Sequence, residues 1–80
     1  MNAEDLLATK SLPVEEYKFM EGDIVISPIG RMIVVDTRCG CELKNKVWIP
    51  NIQLAFLTNK GKINKTRNHR FFTQDRLSKV

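Results

Sequence analysis

The sequence predicts a mainly β fold: a small, strongly bent barrel of four to five short antiparallel strands, with a short N-terminal helix before it and a basic C-terminal arm after it. Three observations carry this expectation. The chain has 80 residues, room for a single small core. Of the 41 residues from Tyr17 to Leu57, 22 are apolar, against 5 of the 23 that follow. Within that apolar stretch, short runs rich in β-branched residues alternate with turn residues. The expected organisation is a helix and linker over 1–16, a barrel core over 17–58 and a basic arm over 59–80.

Each element has a local reason. Over Asn2 to Ser11, Asn2 can cap a helix, Glu4 and Asp5 suit its positive end and Lys10 its negative end, and Ala3, Leu6 and Leu7 make one short apolar face. Leu12-Pro13 stops it. After the turn Glu21-Gly22-Asp23, Ile24 to Ser27 reads as a first strand. Ser27-Pro28-Ile29-Gly30 is a reversal, with Pro fixing φ and Gly supplying the permissive position. Met32 to Thr37 reads as a second, central strand, and Arg38-Cys39-Gly40-Cys41 as a turn or bulge. A third strand is expected from about Leu43 to Ile49, a break at Pro50-Asn51, and a fourth strand over Gln53 to Thr58, before the turn Asn59-Lys60-Gly61-Lys62.

Strands this short and few would leave two raw edges in a flat sheet, which strong bending relieves. Gly22-Asp23-Ile24-Val25 and Val47-Trp48-Ile49-Pro50-Asn51-Ile52-Gln53-Leu54-Ala55-Phe56-Leu57 resemble the opening turn and the closing segment of SH3-like barrels, over about half the chain. More narrowly, Phe19 to Val25, Gly30 to Val35 and Val47-Trp48 look like small bacterial and phage proteins of the YodC type. The chain has Ile29 where those proteins usually carry a second glycine, and Lys46 where they carry a cysteine two residues before the tryptophan. The resemblance implies a fold and no catalytic residues.

Charge divides sharply along the chain. Residues 1–30 carry a net −4, residues 31–57 a net +2 and residues 58–80 a net +6. No apolar run approaches the roughly 20 residues of a membrane-spanning helix. Glu4 and Asp5 stand where a secretory signal requires positive charge, so the expected compartment is the cytosol. With one histidine, no phosphate-cradling glycine loop and no nucleophile elbow, no enzyme, cofactor or small-molecule substrate is expected. Cys39-Gly40-Cys41 offers two thiols, but His69 is the one other soft ligand, so no metal site is expected and the pair reads as small side chains flanking a turn glycine.

The candidate site is the C-terminal arm. Lys60, Lys62, Lys65, Arg67 and Arg70, with Arg76 further on, can neutralise phosphates, while His69, Phe71, Phe72 or Trp48 can stack on splayed bases. Two alternatives stay open for the aromatics. Phe71 and Phe72 can instead tuck into the barrel mouth, and Trp48 faces outward or inward depending on a register that a one-residue slip reverses. The leading expectation is a barrel binding nucleic acid, with RNA or single-stranded DNA favoured. The rival is a phage or mobile-element module that inhibits or redirects an acidic host protein. A third reading is self-association, with the acidic beginning closing onto the arm of the same or a second molecule.

Overall fold

The computed structural model describes residues 12–80; the helix expected over Asn2–Ser11 lies outside them. Six strands follow in order: β1 (Ile24–Ser27), β2 (Gly30–Asp36), β3 (Cys41–Lys44), β4 (Val47–Phe56), β5 (Arg70–Thr73) and β6 (Ser78–Lys79), with one 3-10 turn, Gln74–Arg76, between the last two. The protein is therefore mainly β, as the short alternating runs imply. Strand neighbours follow β3-β4-β2-β1-β6, with β5 also on β4, and every pair is antiparallel. No helix among the described residues is long and apolar enough to cross a membrane.

β4 is the spine of the sheet. Its second half pairs with β2 (Met32↔Phe56, Val34↔Leu54) and its first half with β3 (Leu43↔Trp48, Lys44↔Val47). Both the N–H and the C=O of Asn51 face the connecting segment: the N–H donates to Gly40 O at 2.8 Å, and the C=O accepts from Cys39 Sγ at 3.0 Å. β2 and β3 thus run one after the other along one edge of β4, and β5 takes the opposite edge. An extra residue after Val34 and the excursion through Arg38 and Cys39 bend this long hairpin, as bulges do.

Two sequence expectations are corrected here. The single third strand over Leu43–Ile49 is instead the tip of a hairpin, reversed by Asn45 and Lys46 at φ 49° and 65°. Two successive left-handed residues make the tight turn whose twist matches flanking strands. Nor do Pro50-Asn51 break the chain into two strands. The backbone groups of Trp48 point away from β3, to Pro13 and Glu15. The nitrogen of Pro50, two residues on, points the same way, so its missing donor costs the β3–β4 ladder nothing. Lys46 holds a conformation that glycine adopts at lower cost, so Lys46→Gly is expected to raise stability by about 0.5–1 kcal/mol in chemical denaturation.

Alternation along the strands gathers one core. Val25 faces Met32, Met32 faces Phe56, Val34 faces Leu54 and Ile52 faces Phe72, and Phe19 and Leu77 complete the buried set. Phe19 arrives on a strap over residues 12–19. There Trp48 N–H donates to Pro13 O at 2.9 Å, and Glu15 N–H to Trp48 O at 2.8 Å. Gln74, only 1% exposed, clamps the strap. Its Nε2 donates to Glu15 Oε1 at 2.7 Å and to Glu16 O at 2.6 Å, and its Oε1 accepts from Lys18 N–H at 3.2 Å.

The free basic arm over 59–80 is the third correction. Residues 70–79 belong to the sheet: β5 pairs with β4, the 3-10 turn buries Gln74, Leu77 enters the core and β6 pairs with β1. A segment with few apolar residues is integrated here through backbone pairing and one bonded amide.

Candidate nucleic-acid interface

Four of the cations predicted on a tail, Lys60, Lys62, Lys65 and Arg67, are held instead on the connection between β4 and β5, residues 57–69, while Arg70 lies in β5 and Arg76 in the 3-10 turn. Local chemistry shapes this loop. Leu57 and Ile63 form an antiparallel bridge, and Asn64 N–H donates to Phe56 O at 2.7 Å. Thr58 organises the turn: its N–H donates to Lys62 O at 2.7 Å, and its Oγ1 accepts from Lys60 N–H at 3.3 Å and Lys62 N–H at 3.2 Å. Asn64 Oδ1 then accepts from both the N–H and the hydroxyl of Thr66, at 3.0 and 2.7 Å, as asparagine does in turns. Lys60, Lys62 and Lys65 are exposed on this framework.

Arg67 is placed by stacking, its guanidinium carbon 3.5 Å from the centroid of the Phe56 ring. That contact keeps the charge and gives the side chain a fixed direction. Arg70 opens β5 and is exposed. From Leu57 to Gln74 the sequence has no carboxylate. The ion pairs among the described residues are Lys18–Glu15 and Lys44–Asp75, both at 3.5 Å, so Lys60, Lys62, Lys65, Arg67, Arg70 and Arg76 are in none of them. Like charges on one loop, in no ion pair among the described residues, create a positive potential suited to an anion.

The aromatic candidates separate. Phe71 is 58% exposed and stands opposite Gln53 across the β4–β5 pair. Phe72 packs against the core, with Arg76 stacked over its ring at 5.3 Å, so these two belong to the packing of the domain. Trp48 is half-buried, opposite Leu43 near the hairpin tip. It sits eight residues along β4 from Phe56, up to roughly 25 Å for an extended strand, and does not join the loop cations. His69 Nδ1 lies 2.9 Å from Gln53 Nε2.

Gln53 was not a candidate from sequence. The signal available was a lone amide inside the apolar run Ile52–Leu57, which alternation assigns to the face opposite Ile52 and Leu54. Asp36 pairs with the same residue from β2.

Elsewhere, Cys39 uses its thiol as a donor to Asn51 O, and burial first, then the nearby Asp36 charge, raises its pKa and keeps it protonated. No group of three or more His, Cys, Asp or Glu side chains converges among the described residues. Lys44 Nζ donates to Thr73 Oγ1 at 2.9 Å and lies 3.5 Å from Asp75 Oδ2. The Thr73 hydroxyl first, and the Lys44 charge next, hold the Asp75 carboxyl below its ordinary value. A groove of about 500 Å³ lies between the strap and the bulge, lined by Tyr17, Phe19, Met20, Glu21, Thr37 and Arg38.

Comparison with protein-family models, curated proteins and solved structures returns no match to this chain.

Proposed function

We propose that this chain is a non-enzymatic, SH3-like small barrel that binds single-stranded nucleic acid in the cytoplasm through the loop between β4 and β5. The barrel reading rests on strand order: β1, β2 with β3, β4 and β5 form a meander, and after a 3-10 turn β6 returns to β1. The binding reading rests on a single observation, the cluster Lys60, Lys62, Lys65, Arg67 and Arg70 without a carboxylate partner among the described residues. Ordered loop turns and the Arg67–Phe56 stack present these charges in a defined arrangement, which lowers the entropy lost on binding.

Phosphate neutralisation releases counterions, so affinity falls with salt. With about five phosphates engaged, log affinity against log salt has an expected slope near −4, and replacing Lys60, Lys62 and Lys65 together by Gln flattens it by about 0.7–0.8 unit per lysine. Titration of a fluorescent single-stranded oligonucleotide at several ionic strengths measures both. A slope near zero overturns the proposal. A pull-down with and without nuclease separates the rival occupant: a captured acidic protein that persists after nuclease favours the host-protein module.

A further inference from the structure

The outer face of the sheet beside the cationic loop holds a row of three unlike side chains: Phe71 on β5, Gln53 on β4 and Asp36 on β2, each opposite the next. Opposed residues on antiparallel strands point to the same side, with Cβ atoms about 5 Å apart. The middle member is fixed from the flank, because Gln53 Nε2 donates to Nδ1 of His69 at 2.9 Å. That bond sets the amide plane and leaves Oε1 of Gln53 with no partner among the described residues. A ring more than half exposed is costly to leave in water when Phe72, its neighbour, is taken into the core.

From this juxtaposition we infer that the face takes one unpaired base of single-stranded RNA, stacked on Phe71 and hydrogen-bonded along its edge by Gln53 and Asp36. The inference rests on the nucleic-acid reading above and adds where a base sits and which bases are preferred.

The chemistry at each end of the row is complementary to a nucleotide. The phosphates belong on the exposed lysines of the loop that leads into β5, Lys60, Lys62 and Lys65, because Arg67 on the Phe56 ring and Arg70 opposite Leu54 sit on the core-facing side of the sheet, away from Phe71. The base belongs on the ring, since every base has a π face, and duplexed bases cannot reach it. The edge contacts are selective. Gln53 Oε1 and the Asp36 carboxylate are acceptors, although one Asp36 oxygen already receives Arg38 N–H at 2.9 Å. With one N–H of the Gln53 amide engaged by His69, its second N–H is outnumbered by these acceptors, a balance that favours bases with an exocyclic amino group, adenine, cytosine and guanine, over uracil, which offers two carbonyls and a single N–H. A carboxylate in the row also repels a phosphate placed there, which fixes the direction of the strand: backbone over the loop, base over the sheet. RNA is favoured over DNA by the neutral groups between the cations. Thr66 and Asn68 are exposed and can exchange hydrogen bonds with a ribose 2′-hydroxyl, which is donor and acceptor at once.

The test is fluorescence anisotropy of the whole chain with RNA homopolymers roughly ten nucleotides long, in A, C and U forms, and the matching DNA. The A and C forms are expected to bind more tightly than U, and RNA more tightly than DNA. Phe71→Ala is expected to weaken binding to the A form about five- to one-hundred-fold while leaving the salt slope unchanged, and Phe71→Trp to restore it. Gln53→Met, which keeps length but removes the amide, is expected to erase the preference for A and C over U. Thermal unfolding of each variant confirms that it is folded. A steep salt slope with no effect of Phe71→Ala overturns the base site and leaves the phosphate-binding loop standing; equal affinity for DNA overturns the choice of RNA. Absence of binding to every oligonucleotide overturns the nucleic-acid reading and the base site with it.

Discussion

Gln74→Glu is expected to destabilise the protein by about 3–5 kcal/mol at pH 7, a large share of the roughly 4–12 kcal/mol that stabilises a domain of this length. The substitution is isosteric, so packing is unchanged. What changes is the sense of the hydrogen bonds. The Gln74 amide nitrogen donates to a carboxylate oxygen of Glu15 and to the carbonyl of Glu16, at 2.7 and 2.6 Å, in a site only 1% exposed. A carboxylate there confronts two acceptors with a third, one of them charged, and is itself desolvated. Lys18, 3.5 Å from Glu15, is too exposed to compensate. The sign of the pH dependence follows. The introduced carboxyl has a folded-state pKa above its unfolded value of about 4.3, so the penalty is absent below that pH, grows as pH rises and is complete above the folded-state pKa. Urea denaturation from pH 4 to 8 measures it. A variant as stable as the parent at pH 7 would show that the strap is not held by this amide.

Leu54→Ala is the second large effect, about 2–5 kcal/mol. Leu54 is fully buried where β4 is flanked on both edges, with Val34 of β2 on one side and Arg70 of β5 on the other. Paired strands on both edges limit how far the backbone can relax around the vacated space, which places the cost toward the upper part of that range. At about 4–8 °C per kcal/mol for a domain this small, the midpoint of thermal unfolding should fall by roughly 15–40 °C. A fall of a few degrees would mean that the core closes over the missing side chain.

Turns decided by neighbouring residues were legible in the sequence. Glu21-Gly22-Asp23 and Ser27-Pro28-Ile29-Gly30 lie where expected, closed by Met20 N–H on Asp23 Oδ2 and by the Ser27 hydroxyl on Gly30 O. Features set by register were not. Whether Pro50 interrupts a strand depends on which edge its nitrogen faces, and that follows from the Asn45-Lys46 reversal, where lysine rather than glycine at the second left-handed position hid the turn. The end of the chain misled for a similar reason. Gln74 and Thr73 look like surface residues until their partners, Glu15, Glu16, Lys18 and Lys44, are brought to them from far away in sequence.

The candidate site was legible in composition and not in geometry. The cluster Lys60 to Arg70 was visible as a run of cations without acids. Its place on a loop between two paired strands was not, because β5 carries only two apolar residues, and only one of them, Phe72, packs against the core.

The seam between the two ends of the sheet has a consequence for how the molecule assembles. Lys79 meets Val25 and Gln74 meets the backbone at Lys18, contacts between residues more than fifty positions apart. The β1–β2 and β3–β4 hairpins, by contrast, join near neighbours. Chain entropy must be surrendered before distant pairings return any free energy, so the hairpins zip first and the seam closes last, on the millisecond-to-second scale of small β proteins. Until it closes, β1 presents an unsatisfied edge to other chains, and crowding of partly folded molecules is the stage at which this protein is most prone to aggregate.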